Sequence, residues 1–300
     1  MLLRLMPTDG YFTRDDLFNM TEFEREQYLI DIGVKGNPFV LFGKFFVNLF
    51  QGDLGEVLRV DKIHKPIVDL LAERVPYSLA FGGVSMVISM ALGFFMGISM
   101  AKNKDKLPDL LGTGYVVAVR AIPSLIYLFF IQVYFTRWFG IPMTFSDSNP
   151  ATWVLPVISL SLSSIAWYAV WLRRFMVDEE NRDYVKFARA KGLSERKIMN
   201  SHILRNALVP LVQYFPTQLL LTISGSLVIE SLYSIPGMGG LLVKAIQEMD
   251  NNVVQILVLL FSILGIVGVF LGDIAMAIID PRIQLTSSSK RKAKKEVKAL

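Results

Sequence analysis

Few groups in this 300-residue chain have the type and spacing to do chemistry. It has no cysteine, which excludes disulfides and thiolate ligands. His64 and His202 stand apart from each other and from any cluster of carboxylates, so no metal set is expected. No G-x-x-x-x-G-K-[ST] run occurs; without that phosphate-cradling loop the chain does not hydrolyse ATP alone. No nucleophile–base pair is apparent either, so neither catalytic residues nor a cofactor are expected. What remains is three charges set in apolar sequence, Arg120, Glu230 and Asp273, and one concentrated basic segment, residues 181–210.

Charge inside a membrane span is costly and faces a cavity, a pathway or a partner. Arg120 lies about ten residues into an apolar stretch, ~15 Å along a helix axis. Two readings stand for it: snorkelling or pairing with Asp273, or contact with a substrate carboxylate. Glu230 also has two, anchoring the Ser234–Gly237 turn or acting as a gate or substrate contact.

These residues need membrane elements to hold them. The chain is 53% apolar and 19% charged, a balance suited to a bundle of membrane helices. Five stretches are long enough to cross a hydrocarbon core: Pro76–Ala101, Leu110–Phe135, Thr152–Leu172, Ala207–Leu232 and Val253–Ile279. The fourth carries Gln213, Pro216, Gln218 and Glu230 and is the least lipid-like. Gly93 and Gly97, like Gly268 and Gly272, have the spacing of tight helix packing.

Positive charge sets the orientation. Nine Lys or Arg fall in residues 173–206 and seven in the tail from Arg282, while the loops 136–151 and 233–252 hold one each, Arg137 and Lys244. Lys102, Lys104 and Lys106 mark a further inside loop. Loop 173–206 and the C-terminus are therefore expected in the cytoplasm, and the net charge of +5 reflects topology rather than nucleic-acid binding. With five spans, residues 1–75 fall outside the cell, and nothing visible carries them there. Met1–Pro7 reads as the last turn of an apolar helix, so a first span is expected upstream of Met1. The expected organisation is an extracytoplasmic region with interfacial helices over 1–75, a transmembrane domain over 76–280, and a basic cytoplasmic tail over 281–300. In the first of these, Thr21 and Glu24 form a capping box, Phe39–Phe50 lies at the membrane interface, and Gly52–Gly55 turns. The Lys290–Lys298 tail can touch anionic lipid, although topology alone accounts for it.

The basic segment reads as two helices around a glycine. Tyr184, Phe187 and Ala188 form a narrow apolar stripe at i, i+3 and i+4. Gly192 suits the left-handed position after a helix, with Leu193 folding back on Phe187 or Ala188. Ser194 is placed to cap the next helix, Glu195 suits its first turn, and Met199, Ile203 and Ala207 extend the apolar face into the fourth span. A merely solvated loop is the plain alternative. A DNA-binding helix-turn-helix is the other, but it needs a three-helix core that no residues here supply. A rigid basic elbow too small to fold alone points to docking on a cytoplasmic partner.

The run Tyr184-Val185-Lys186-Phe187-Ala188-Arg189-Ala190-Lys191-Gly192-Leu193-Ser194, with Arg205-Asn206-Ala207-Leu208 and Pro210, resembles the EAA loop of ABC-importer permeases in its dipeptide/oligopeptide form. The resemblance extends to Arg4–Pro7, Gly52–Gly55, Ile122–Ser124, Glu230–Gly237 and Asp280–Arg282. Lys186 and Phe187 depart from the broader importer pattern, which has Glu and Ala there; the peptide branch often departs at the same places.

The resemblance implies an all-α, polytopic helix bundle of the type I ABC-importer permease class, with six spans of which five are visible here. It implies the permease subunit of an ATP-driven importer of short peptides, multi-pass in the cell membrane and working by alternating access. The implied partners are a second homologous permease, two ATP-binding subunits and an extracytoplasmic substrate-binding protein. Tyr184, Phe187, Ala188, Arg189, Ala190, Gly192 and Leu193 would dock the ATPase; Arg120, Glu230 and Asp273 would belong to a pathway or gate. The alternatives are the same architecture carrying nickel, glutathione or another small solute, and an ATP-independent channel or secondary transporter.

Overall fold

The computed structural model describes residues 11–12, 19–60 and 65–279. Arg4–Pro7, His64, Asp280–Arg282 and the Lys290–Lys298 tail lie outside them. Among the described residues the fold is helical, with one isolated antiparallel bridge between Glu56 and Pro66.

Helix α1 (Glu22–Asp31) starts at the expected capping box: Glu24 N–H donates to Thr21 Oγ1, and Thr21 N–H donates to Glu24 Oε2. The α2 helix (Pro38–Phe50) is apolar, exposes Phe39 and Phe50, and is too short to span a bilayer. Gly52–Gly55 forms the expected turn, closed by Gly55 N–H on Asp53 Oδ1 at 2.8 Å. The long helix α3 (Ile67–Lys102) contains the first apolar stretch and begins before it, at Ile67, with Pro76 inside.

The second apolar stretch is not one straight span. It divides into α4 (Leu107–Ala121) and α5 (Ser124–Phe130); α5 continues through a π-helical turn, Ile131–Phe135, into α6 (Thr136–Phe139). The two arms are bent by 103°. Pro123 is the cause: it has no N–H, and it forces Ile122 out of helical geometry to φ −85°, ψ 127°.

The third stretch becomes α7 (Val154–Glu180), which runs past the expected end at Leu172. After it come α8 (Asp183–Ala190), the single turn α9 (Glu195–Lys197), a π-helical turn at Ile198–Ile203, and α10 (Leu204–Val212). The fourth stretch is broken at Gln213 and Gly225, giving α11 (Tyr214–Ser224) and α12 (Leu227–Tyr233). Helices α13 (Met238–Gln247) and α14 (Asn251–Ile279) complete the order. Among the described residues, four helical segments are long and apolar enough to cross a membrane, five if the bent pair counts as one.

The described chain forms two compact units. One holds the described residues up to Gly82, Pro142–Pro156 and Thr222–Ile263. Its core joins Ile67 and Leu70 to Met238 and Leu241 of α13 and to Val253 and Leu257 of α14. Phe81 stacks on Trp153 with ring centroids 4.1 Å apart.

The other unit holds Gly83–Ile141, Val157–Leu221 and the described residues from Leu264. Here the small-residue spacing does what was expected of it. Gly93 faces Ile165 and Tyr168 of α7, Gly97 faces Ala169 and Leu172, and Gly268 abuts Thr217, each too closely for a Cβ. Ser89 and Ser161 bridge α3 and α7: Ser89 Oγ donates to Ser161 O and Ser161 Oγ to Ser85 O, each at 3.4 Å.

Candidate functional site

The basic segment folds as a braced elbow. Gly192 takes φ +79°, a left-handed conformation in which a Cβ would be strained, and so ends α8. Gly192 N–H closes on Arg189 O at 2.9 Å and Leu193 N–H on Ala188 O at 3.3 Å. Leu193 then packs on the apolar cluster that includes Ala188.

The seat of α8 is built from Val185, fully buried, and Ala188, with Tyr184 partly covered beside them. They pack on Leu172 and Met176 of α7, on Ala101 of α3, and on Ile198, Ile203 and Ala207. This corrects the expected stripe: Phe187 is not on the packed face. It lies on the opposite side with 68% of its surface exposed, and Ala190 and Gly192 are exposed as well. An i, i+3, i+4 pattern fits either of two neighbouring stripes here, and the packing selects Tyr184, Val185 and Ala188.

Arg189 is held within the elbow. Its Nε donates to Glu195 Oε1 at 2.7 Å, and its Nη2 reaches Glu195 Oε2 and Glu180 Oε1 at 3.2 Å. It therefore ties the end of α7 to both arms of the elbow. The hydrogen bond from Arg189 holds the Glu195 carboxyl below the ordinary glutamate range. Tyr184 Oη donates to Glu179 Oε2 at 2.5 Å and braces the same junction. Ser194 occupies the capping position, but its side chain makes no cap hydrogen bond; Glu195 is drawn to Arg189 instead. Lys102 adds a strut from Nζ to Asn200 Oδ1 at 3.0 Å. The result is a short helix fixed from behind and presenting Phe187.

Of the three isolated charges, Arg120 and Asp273 share a unit and Glu230 lies in the other. Arg120 sits in the last turn of α4, where the helix dipole favours a cation. It is exposed and makes no hydrogen bond or ion pair among the described residues. Asp273 accepts instead from Gln213 Nε2 at 2.7 Å, so the expected Arg120–Asp273 pair does not form. Gly272 places the backbones of that contact close together, against the Gln213 carbonyl.

Glu230, in the other unit, is 3% exposed and fully engaged. Its Oε1 accepts from Ser78 Oγ at 2.8 Å and Ser226 N–H at 3.2 Å, and its Oε2 accepts from Gly240 N–H at 3.0 Å. Ser78 Oγ accepts from Met238 N–H at 2.8 Å, which extends the clasp into α13. Gly225 and Gly237 leave the room: a Cβ at either would strike the Glu230 carboxyl. Of the two readings given to Glu230, this geometry is the anchoring one.

Two carboxylates drew no attention in the sequence. Asp109 takes both Nε and Nη2 of Arg173, at 2.5 and 2.6 Å, joining α4 to α7. Asp250 is fully buried; its Oδ2 accepts the N–H groups of Leu58, Arg59 and Val60, and its Oδ1 caps α14 through Val253. No sequence signal joins residues so far apart, although Asp250 ahead of an apolar helix is a recognisable cap. Among the described residues no cluster of metal-ligating side chains occurs.

The sequence profile of the family described as "Binding-protein-dependent transport system inner membrane component" matches residues 93–285. The chain is 38% identical over 212 residues to the oligopeptide transport system permease protein AmiC of Streptococcus pneumoniae, covering 68% of this chain and 42% of AmiC. It thus spans less than half the length of that relative. It is 28% identical over 293 residues to the dipeptide transport system permease protein DppB of Lactococcus lactis subsp. cremoris, covering 95% and 92% of the two chains. A putative peptide transport system permease protein of Brucella suis is 31% identical over 293 residues, with coverage of 94% and 91%.

Among solved structures, an amino acid ABC transporter with histidines superposes with TM-score 0.57 at 16% identity, over 72% of this chain and 95% of that one. The inward-facing MetNI methionine ABC transporter gives 0.60 at 19% identity, over 73% and 100%. At those identities the likeness is one of fold.

Proposed function

Because the chain belongs to the family of binding-protein-dependent transport system inner membrane components, we propose that it is a permease subunit of an ATP-driven importer of short peptides. The observation that carries this reading is α8, seated through Val185 and Ala188 and offering Phe187 outward. An exposed aromatic on a rigid, charged helix is the shape of an anchor for a partner's cleft. Relatives described as dipeptide or peptide permeases over more than nine-tenths of this chain support the choice of cargo.

In this reading two ATP-binding subunits each hold such an elbow, one on this chain and one on a second, similar permease. Their closure pushes α8. Because Val185 and Ala188 pack on α7 and on the segment leading into α10, the push passes directly to spans on both sides of the elbow. A close-packed interior transmits the displacement rather than absorbing it. An external binding protein delivers the cargo. In this reading the elbow and the C-terminus lie in the cytoplasm and residues 1–75 outside, which the distribution of basic loops supports. Arg120, unpaired near the α4–α5 bend, is the pathway residue suited to a peptide carboxylate.

The test is to purify the chain with its associated subunits and measure ATP-dependent uptake of labelled short peptides into vesicles. Uptake that requires ATP and the binding protein supports the proposal. Transport that persists without ATP or partners would sink it.

A further inference from the structure

In the unit that contains the elbow, α3, α4 and α7 line an open groove of about 550 Å³, a volume typical of ligand sites. Its walls are Phe95 and Met96 from α3, Leu111 and Tyr115 from α4, and Leu162 and Ile165 from α7. The wall is almost wholly apolar, and the Tyr115 hydroxyl is already donated to the Leu162 carbonyl at 2.8 Å. A ligand here would find nothing to hydrogen-bond along the groove.

At Ser99 and Pro108 the groove reaches the turn between α3 and α4, and the chemistry changes. Lys104 and Lys106 are exposed there, and their side chains make no hydrogen bond or ion pair among the described residues. Lys106 also stands at the start of α4, where no side chain caps the helix. Pro108 has no N–H, so the first-turn N–H groups of Leu107 and Asp109, with the positive end of the dipole, are what the helix offers an anion. Nearby acids do not cancel this. Asp109 is committed to Arg173, and Asp105 is one acid against two lysines.

We propose that this groove binds an anionic phospholipid, with an acyl chain along Phe95, Met96 and Leu111 and the phosphate at Lys104, Lys106 and the amino end of α4. An acyl chain suits a long wall without polar partners, and a single phosphate suits one cationic end. A helix from another subunit would fill the wall, but it would bring no anion to that end.

The full chain, extracted with its associated subunits, is reconstituted in vesicles containing a photoreactive-acyl phosphatidylglycerol or the matching phosphatidylcholine. The site predicts labelling of Phe95, Met96 and Leu111, roughly thirtyfold stronger from the phosphatidylglycerol, as expected for two lysines at an anionic surface. The double variant Lys104→Gln/Lys106→Gln should lose that preference, and Leu111→Trp should lose labelling from both probes. Equal labelling by the two lipids would overturn the proposal, as would a preference that survives loss of the lysines. A Leu111→Cys variant of this cysteine-free chain that cross-links to another polypeptide would assign the groove to a subunit instead.

Discussion

Glu230 and Arg189 show how little an isolated charge reveals until its neighbours are known. Glu230 accepts two backbone N–H groups and one hydroxyl. In Glu230→Gln the side-chain NH2 would oppose donors, so we expect a loss of about 1–3 kcal/mol, read as a lowered melting temperature of the purified protein. A Glu230→Gln protein that melts normally but transports poorly would restore the gate reading. The anchoring role was legible in part, from a glutamate followed by Ser234–Gly237. Its glycine surround was not, because Gly225 meets the carboxyl only in three dimensions.

At Arg189 the partners set a pH dependence. Glu195 is held below its ordinary value, so the brace is in place above the usual glutamate range of about 4.3 and is lost as pH falls through the lower folded value. Trypsin cleavage at Arg196 and Lys197, normalised at each pH to cleavage of an unstructured reference peptide, should thus stay constant from neutral to mildly acidic pH. Glu195→Gln should raise it severalfold at neutral pH, because the exposed brace is gone throughout. A cleavage rate unchanged in Glu195→Gln would remove the brace from the account.

At the scale of elements, the contacts between helices divide into those the sequence announces and those it conceals. Gly93 and Gly97 announce close packing, and they lie against α7 as expected. Pro123 announces a break, yet hydropathy runs smoothly from Leu110 to Phe135 and suggests one span; a residue's geometry overrules an average taken across it. The Asp109–Arg173 pair is concealed, because Arg173 looks like any cytoplasmic cation until α4 and α7 bring the two together. Asp109 is only 6% exposed in its side chain, so Arg173→Ala strands a buried carboxylate at a cost of about 3–5 kcal/mol. The double change Asp109→Leu/Arg173→Met should recover most of that loss. Thermal melts of the single and double variants measure it, and a harmless Arg173→Ala would show that the pair contributes nothing.

For the whole molecule, fold class and family are legible in a few short motifs because their backbone demands are local: a left-handed Gly192 and a turn after Tyr233. The outward face of α8 is less legible, since Val185 and Phe187 are both apolar and two residues apart. Packing against α7 decides between them, and sequence spacing does not. That decision is what the proposed mechanism rests on. The absence of cysteine from the chain makes it directly testable. Single cysteines at Phe187 and Val185 should be exposed to a short bifunctional cross-linker in the purified complex. The account predicts a cross-link from position 187 to an ATP-binding subunit and none from position 185. No cross-link at 187, or an equal one at 185, would contradict it.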